Sequence, residues 1–464
     1  MKRAWMPAVL FLAAAFGGAD ELQQGFVNPP EEARPRVWWH WTGGNVTREG
    51  ITRDLEWMKR VGIGGAHLAD IGMEGGHRVD EKVEFLTPAW LDAVRHAAAE
   101  ADRLGLELAI FSSSGWSLTG GPWVEPRQAM KRLVWSETSL GGPGRRRVEL
   151  PRPVEEGEFY RDSVLVAFRT PADERPMAEL RPRVTAGGPV DAPLLMDGDD
   201  ATGVKVPGEA AWIRYEFPAA VGVKGVTLIA PGRGVPFGRV EGSEDGVNYR
   251  TLAALPGAVQ YRARGLKTYA FPEARVRFVR LVMTGAAPDP DAVIYQTPPR
   301  PAPSYAIHEF IVHTGARIDR WQDKAGFSLI YDYGTVPTPP VGPRSAIGEV
   351  LDLTPLMEDG VLDWDAPGGE WTLLRMGYAL VGSRNRSATA AGTGLEVDKL
   401  SARHVESYFR GYLGPIERAL GPLVGRSLRY LVMDSWEAGA QNWTEGMIEL
   451  FRQRRGYDPT PYLP

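Results

Sequence analysis

The 464-residue sequence contains no cysteine, which excludes disulfide bonds and thiolate catalysis. It also lacks an excess of positive charge, because its formal net charge is −5 and its pI is near 5.9. Without a basic stripe, nucleic acid is not an expected partner. The sequence has no phosphate-binding loop, no paired-glycine dinucleotide fingerprint and no H-E-x-x-H zinc motif. The remaining candidates for functional groups are carboxylates and aromatic rings.

The first nineteen residues have the pattern of a secretory signal peptide. Lys2 and Arg3 supply positive charge, residues 6–16 form an apolar run, and residues 17–19 are small. We expect cleavage after Ala19 and export to the periplasm or the medium. The apolar run is too short to span a bilayer well, and no later stretch approaches that length without charges. No membrane association is therefore expected after cleavage.

The next part of the chain alternates between strand and helix patterns. Apolar runs predict strands at 37–41, 63–72 and 106–116, and apolar residues at helical spacing predict helices at 47–62 and 87–105. Strands and helices that alternate at this rhythm form a parallel sheet with right-handed crossovers. Residues 33–140 are therefore predicted to begin a catalytic α/β barrel.

The pattern changes at residues 145–330, where short alternating runs are separated by Pro, Gly and other turn residues. This region predicts an inserted antiparallel β-sandwich. The phrases "EGSEDGVNYRTL" and "RVRFVRLVM" within it resemble the jelly-roll carbohydrate-binding domains of the discoidin group, which are galactose-binding-like. By that resemblance Asp197, Asp199 and Asp200 look like a calcium loop; a plain polar turn is an equally good interpretation.

Residues 345–464 again show the alternating strand and helix patterns that are typical of a parallel sheet. Strands are predicted at 370–380 and 427–437, with helices at 401–420 and 444–458. The count reaches five strands, whereas a closed (β/α)8 barrel needs eight. The predicted fold class is α/β: a partial (β/α)8 barrel, interrupted by the sandwich and truncated after its fifth strand–helix unit. The alternative is a complete open α/β sheet.

Catalytic residues of barrel enzymes gather at the C-terminal ends of the strands. The predicted strand ends and the loops that follow them supply side chains that could bind a substrate: Trp39, His40, Trp41, His67, Asp70, Ser114, Trp116, Trp123 and Trp436. The alternative for each histidine is a structural role. The segment "SSSGW" could also be a plain turn, and it lacks the G-x-S-x-G pattern of serine hydrolases.

Two carboxylates, Asp434 and Glu437, stand between tryptophans at the end of the last predicted strand. Glycoside hydrolysis needs a pair of carboxyl groups, one to protonate the leaving oxygen and one to activate water or attack the sugar. Aromatic rings serve the same chemistry as platforms for the apolar faces of sugars. Each acid taken alone could equally be a helix cap or a surface loop residue.

Four motifs in order identify the family that this sequence resembles. They are "PRVWWHWTGGNVTREGITRDLEWMKRVGIGG", "SSSGWSLTGGPWVEPRQAMKRLVWSET", "GLEVDKLS" and "DSWEAGAQNWTEGMIELFRQRRGYDPTPYLP". Together they resemble glycoside hydrolase family 106, the α-L-rhamnosidases. The resemblance implies a barrel with sandwich insertions and inverting hydrolysis of terminal α-linked L-rhamnose from glycosides or polysaccharides. It also implies that Glu437 is one of the two catalytic carboxylates, with the roles of acid and base left open.

The resemblance further implies a calcium ion that binds sugar hydroxyls. The candidate ligands are Glu396, Asp398 and Asp434; the alternative is that Lys399 or a nearby arginine neutralises these acids as surface ion pairs. Family members are about twice this length, so the chain resembles a fragment that lacks the second catalytic carboxylate and has little activity alone. The rival hypothesis is a non-catalytic carbohydrate-binding remnant.

Overall fold

The structure is a computed structural model that describes residues 21–72, 76, 78–153, 159–232, 234–259, 265–286, 300–328, 336 and 347–464. The predicted signal peptide lies outside the described residues. No helix in the described part of the chain is long and apolar enough to cross a membrane. The chain divides into two compact units: the first is Met1–Gln128 with Ser383–Ala438, and the second is Ala129–Gly382 with Gly439–Pro464.

The described residues form both strands and helices. In chain order the strands are β1 Arg36–Thr42, β2 Gly65–Ile71, β3 Glu107–Phe111, β4 Lys131–Glu149, β5 Tyr160–Arg169, β6 Arg183–Ala186, β7 Val204–Pro207, β8 Trp212–Ala230, β9 Gly234–Ser243, β10 Arg250–Val259, β11 Gly265–Gly285, β12 Ser304–Ile307, β13 Glu309–His313, β14 Leu351–Asp352, β15 Met357–Glu358, β16 Val361–Leu380 and β17 Leu428–Val432. The α-helices are α1 Arg48–Arg60, α2 Pro88–Leu104, α3 Met177–Leu180, α4 Trp321–Lys324, α5 Ala402–Leu420 and α6 Met447–Arg455.

The first unit contains a four-stranded parallel sheet in the order β1-β2-β3-β17. Helices α1 and α2 connect its first three strands, and α5 leads into β17. Each helix begins at a predicted cap: Thr47 accepts a hydrogen bond from the N–H of Gly50, and Thr87 and Ser401 cap α2 and α5 in the same way. Local sequence signals therefore place the helices of this unit.

The core of the first unit lies between the sheet and its helices. Strands contribute Trp41 and Leu108, while α1, α2 and α5 contribute Leu55, Val94 and Tyr412, all almost fully buried. Burial of these large apolar side chains holds the helices on one face of the sheet. We call this face the helix-covered face and the opposite one the open face.

The second unit is antiparallel. One sheet has the order β10-β9-β11-β8-β13 with β6 paired to β8, and a two-stranded sheet pairs β12 with β7. Side chains from both sheets enclose a single core that includes Tyr215, Phe217 and Phe310. A further sheet has the order β14-β5-β16-β15, with β4 paired to β16. The prediction of antiparallel sheets in the inserted region is confirmed by this pairing.

A strand and a helix that the sequence predicted correctly do not belong to the parallel unit, where the sequence had placed them. The strand predicted at 370–380 as part of the barrel belongs to β16, which pairs antiparallel with β4 and β5. The helix predicted at 444–458 is α6, and its Met447 and Ile448 pack on the core formed by β4, β5 and β16. An apolar run shows that a strand is buried but does not reveal which strand pairs with it.

The second compact unit combines Ala129–Gly382 with Gly439–Pro464, and the first unit resumes over Ser383–Ala438. The domain boundaries 145–330 and 345–464 stay predictions. The sheet of the first unit therefore has four parallel strands where five were expected. No closed barrel forms among the residues that the structure describes.

Candidate active site

Strand β1 distributes its aromatic residues between the two faces of the sheet. Trp39 and Trp41 are buried in the core, where their rings contact each other and Trp39 donates a hydrogen bond to Asp54 on α1. Because successive side chains of a strand point to opposite faces, Trp38 and His40 lie on the open face. The burial of Trp39 and Trp41 gives them a packing role and argues against the substrate contact that the sequence predicted for them.

An aromatic cluster occupies the open face. The ring of His40 lies 5.6 Å from that of Trp38 and 5.9 Å from that of Trp116, and Trp38 contacts Phe111 edge to face. Trp38 is 57% exposed, so a large apolar surface faces solvent on this side of the sheet. Such a surface suits the apolar face of a sugar ring.

His67 projects to the same face from β2. Burial and the nearby charge of Arg36 lower its pKa below the usual value, which favours the neutral imidazole at neutral pH. Its Nδ1 atom is buried and has no hydrogen-bond partner among the described residues. His67 pairs in register with Trp38, so it lies below the C-terminal edge of the sheet.

Asp70 lies on the helix-covered face, near the end of β2. Its Oδ2 accepts hydrogen bonds from the hydroxyls of Ser114, at 2.5 Å, and Thr389, at 2.8 Å. Burial outweighs these bonds and raises the pKa of Asp70 to about 6. The carboxyl joins the two loops that contain Ser114 and Thr389 to the end of β2, and its burial, like that of Ser114, argues against direct sugar contact.

The "SSSGW" segment is a tight turn in contact with a second loop. Gly115 has φ of +80°, and a Cβ atom there would lie 2.0 Å from the carbonyl oxygen of Arg386. Gly72 donates a backbone hydrogen bond to Ser387 in the same loop. Glycine is therefore required at 115, because only glycine tolerates both this φ and the close approach. Ser112 and Ser113 donate to the carbonyls of Leu118 and Ser117 within this turn, whereas Ser114 donates to Asp70.

Trp123 packs inside the first unit. Its ring stacks on Tyr412 at 5.6 Å with an interplanar angle of 5°, and it also contacts Tyr408. The hydroxyls of these tyrosines donate to the backbone carbonyls of Phe111 and Ser112 at the end of β3. Trp123 therefore supports the strand end from behind, and its half-buried packing against the core argues against the predicted substrate contact.

Glu396 is held by a buried ion pair. Its Oε2 accepts from Lys399 Nζ at 2.7 Å and from the hydroxyl of Thr119 at 2.5 Å. Glu396 and Lys399 are 1% and 7% exposed. Lys399 therefore forms a buried ion pair with Glu396, where the alternative interpretation expected a pair on the surface.

Asp398 also contacts neighbouring polar groups. Its Oδ1 accepts from the N–H of Leu400 at 3.0 Å, and its Oδ2 lies 3.7 Å from His404 Nδ1. Its own N–H donates to the carbonyl of Gln128. These contacts fix the start of α5.

The three predicted calcium ligands do not fit a calcium ion as they are arranged. Glu396 is neutralised by Lys399, Asp398 serves the backbone and His404, and Asp434 lies in a separate loop. Among the described residues, no group of three or more His, Asp or Glu side chains is placed to hold a metal ion. Calcium ligation by these three residues stays a prediction.

The loop after β17 carries Glu437, the predicted catalytic carboxylate, and Asp434, a predicted calcium ligand. The hydroxyl of Ser435 donates to Glu437 Oε1 at 3.0 Å and contacts Asp434 Oδ1 at 3.4 Å. Trp436 is 43% exposed, and its ring lies 5.1 Å from Lys399 Nζ. Ser435 thus connects the two acids, while Lys399 connects this loop with Glu396.

The sequence interpretation missed several residues of this region. Trp38 shares its face with His40, a relation that the two-residue period of a strand reveals once the strand is identified. Thr119 and Thr389 are loop residues whose hydroxyls bond to Glu396 and Asp70. No local pattern marks them, because their partners lie 277 and 319 positions away.

The second unit has a separate acidic loop. Asp197 accepts from the N–H of Asp199 and from the hydroxyl of Thr202, both at 2.9 Å. Glu309 lies beside Asp197, and its Oε1 accepts from the N–H of Gly198. Burial and the neighbouring carboxylates raise the pKa of Glu309 to about 7. Its Oε2 is buried without a hydrogen-bond partner among the described residues.

Comparison with known proteins relates these features to a family. A solved rhamnosidase from Novosphingobium sp. PP1Y is 38% identical with a TM-score of 0.81, and the match covers 96% of this chain and 42% of that one. A provisionally named beta-glucuronidase from Formosa agariphila is 28% identical over 447 residues, which cover 96% of this chain and 26% of the relative. The chain therefore spans less than half the length of either relative. The alpha-L-rhamnosidase model of glycoside hydrolase family 106 matches residues 27–464, so the chain belongs to this family.

Proposed function

We propose that the first unit forms part of the active site of a secreted enzyme that cleaves terminal α-L-rhamnosyl residues. The observation that carries the proposal is the loop after β17, in which the exposed Trp436 directly precedes Glu437 and the hydroxyl of Ser435 donates to the Glu437 carboxyl. The open face of the same sheet adds the aromatic surface of Trp38, His40 and Trp116. In barrel enzymes, sites at the C-terminal ends of the strands perform the chemistry.

In the proposed mechanism Glu437 transfers a proton. As the acid, its carboxyl gives a proton to the glycosidic oxygen while the bond to the anomeric carbon breaks. As the base, its carboxylate takes a proton from the water that attacks the opposite face of the sugar. Inversion requires a second carboxyl group on that other side, about 6.5–9.5 Å away. We propose that this second group lies outside the 464 residues, in the part of the longer relatives that this chain does not cover.

We also propose that the first unit is part of a barrel. The four strands β1-β2-β3-β17 would be consecutive strands of a (β/α)8 barrel, with the open face directed to its interior. The inserted antiparallel unit would be a jelly-roll-type carbohydrate-binding sandwich. The parallel order of the four strands and the helices on one face support this arrangement.

Binding of L-rhamnose to this chain tests the proposed site. We expect weak binding by isothermal titration calorimetry, and at least fivefold weaker binding after Trp436→Ala, because the variant loses the exposed ring that would support the sugar. Trp57→Ala is the matched control, since Trp57 on α1 is 50% exposed and lies away from the loop. Equal affinity of both variants would contradict the assignment.

Catalysis and binding are then distinguished by turnover. A longer form that restores the part covered by the relatives should hydrolyse an aryl α-L-rhamnoside, whereas this chain alone should release little of the aryl group. A longer form that binds rhamnose without hydrolysing the aryl glycoside would favour the rival function, a non-catalytic carbohydrate-binding protein.

We also propose that calcium binds the acidic loop of the second unit. Asp197 and Glu309 would supply two carboxylates of the six to eight oxygen ligands that calcium takes, and a cation would neutralise the buried oxygen of Glu309. Calcium should raise the melting temperature, and EDTA should reverse the shift, because a ligand that binds only the folded state stabilises it. Glu309→Gln should abolish the shift, whereas Glu244→Gln in the exposed turn between β9 and β10 should retain it. An equal calcium shift in both variants would contradict the site.

A further inference from the structure

The first unit has a groove between the loop Glu125–Gln128 and one side of α5. Its volume is about 630 Å³. The helix contributes Arg403, His404, Ser407 and Arg410, and the loop contributes Arg127 and Gln128. Residues three, four and seven positions apart lie on the same side of a helix, which explains why these helix residues line one groove.

The floor of the groove is polar and fixed. Gln128 Nε2 donates to Ser407 Oγ at 3.1 Å, and Gln128 Oε1 accepts from the N–H of Glu125 at 3.1 Å. His404 is buried, with its Nδ1 atom 3.7 Å from Asp398 Oδ2. Amide and hydroxyl groups in such a floor can exchange hydrogen bonds with the hydroxyls of a saccharide.

The border of the groove is basic. Arg127, Arg403 and Arg410 are exposed there, against a single lining acid, Glu125. The chain as a whole carries a net charge of −5, so this concentration of positive charge is local. Arg410 has an ion pair with Glu406 at 3.5 Å, but both side chains are at least 70% exposed. Exposed pairs of this kind contribute little free energy, so Arg410 can turn to a ligand at small cost.

Guanidinium groups bind planar or tetrahedral oxyanions through paired N–H donors. The volume lies within the range of about 300–1,000 Å³ that is usual for organic ligands, and it exceeds what a single ion needs. We propose that this groove is a binding site for an anionic saccharide, in which the guanidinium groups hold a carboxylate or a sulfate ester. The site is separate from the loop of Glu437 and does not depend on hydrolysis.

Affinity electrophoresis of the 464-residue chain tests this proposal. Native gels would contain polygalacturonate, dextran sulfate or neutral dextran. We expect retardation by at least one of the two anionic polymers and none by dextran. Retardation by polygalacturonate alone assigns a uronate as the ligand, retardation by dextran sulfate alone assigns a sulfate ester, and retardation by both assigns the shared anionic group.

Charge-neutralising variants connect the binding to the groove. The double variant Arg403→Gln/Arg410→Gln should weaken the apparent affinity at least tenfold. Both residues are exposed, so the melting temperature should stay close to that of the parent chain. Arg418→Gln is the matched control, because Arg418 is exposed on the same helix but does not line the groove. Glu125→Gln should strengthen the retardation.

Three results would overturn the proposal: no retardation by either anionic polymer, equal loss in the Arg418→Gln control, or full retention in the double variant. A general attraction between arginine and polyanions would produce the second result. Loss of rhamnose binding or of aryl rhamnoside hydrolysis would not affect this outcome, so the two proposals fail independently.

Discussion

Glu437→Gln should lower kcat by roughly 10²–10⁴-fold, the usual contribution of a general acid or base, with little change in KM. Glutamine preserves the shape and the hydrogen bond from Ser435 but cannot transfer the proton, so only the transition state loses stabilisation. The measurement is steady-state hydrolysis of an aryl α-L-rhamnoside by a longer family member with the same Asp-Ser-Trp-Glu sequence. Glu449→Gln on the exposed side of α6 serves as the isosteric control.

The leaving group then separates the two roles. If Glu437 is the acid, a good aryl leaving group should restore much of the rate, because that oxygen needs no proton to depart. If Glu437 is the base, the rate should stay low with every leaving group, since the attacking water still lacks an acceptor for its proton. Near-normal rates of Glu437→Gln with both good and poor leaving groups would show that Glu437 is not part of the active site.

The pH dependence of stability should change after Asp70→Asn. Burial raises the pKa of Asp70 to about 6 in the folded state, against about 3.9 in an unfolded chain. The folded state therefore binds this proton more tightly, so the stability contribution of Asp70 is greatest below pH 4 and falls as the pH rises to about 6. By linkage the loss amounts to about 2–3 kcal/mol above pH 6.

Denaturant unfolding at pH 4 and pH 8 measures this effect. Asparagine can accept the hydrogen bonds from Ser114 and Thr389 without a charge, so the variant should gain about 2–3 kcal/mol relative to the parent chain between these two pH values. Asp92→Asn on the exposed side of α2 should show no such gain. A constant difference between Asp70→Asn and the parent chain across this range would contradict the buried, proton-binding carboxyl.

Much of the first unit could be predicted because its signals are local. Thr47, Thr87 and Ser401 accept from backbone N–H groups three residues ahead, and Pro88 occupies the first helical position. These short-range contacts are visible in a sequence window. The strand β16 and the helix α6 were misplaced because their partners lie far along the chain: Leu380 pairs with Lys131, for example.

The candidate site likewise contains features that the sequence predicts and features that only the structure reveals. The sequence by itself determined the order of the parallel strands and helices, the family and the presence of acids after β17, since each depends on residue type and order. It did not determine where the strands end, because β3 ends at Phe111 and β17 at Val432, each five residues before the predicted end. Only the tertiary structure decided that Trp41 is buried while Trp38 is exposed, and that Glu396 is paired with a buried Lys399. The physical reason is that burial and charge pairing depend on which distant segments meet, and desolvation acts on a side chain only after they have met.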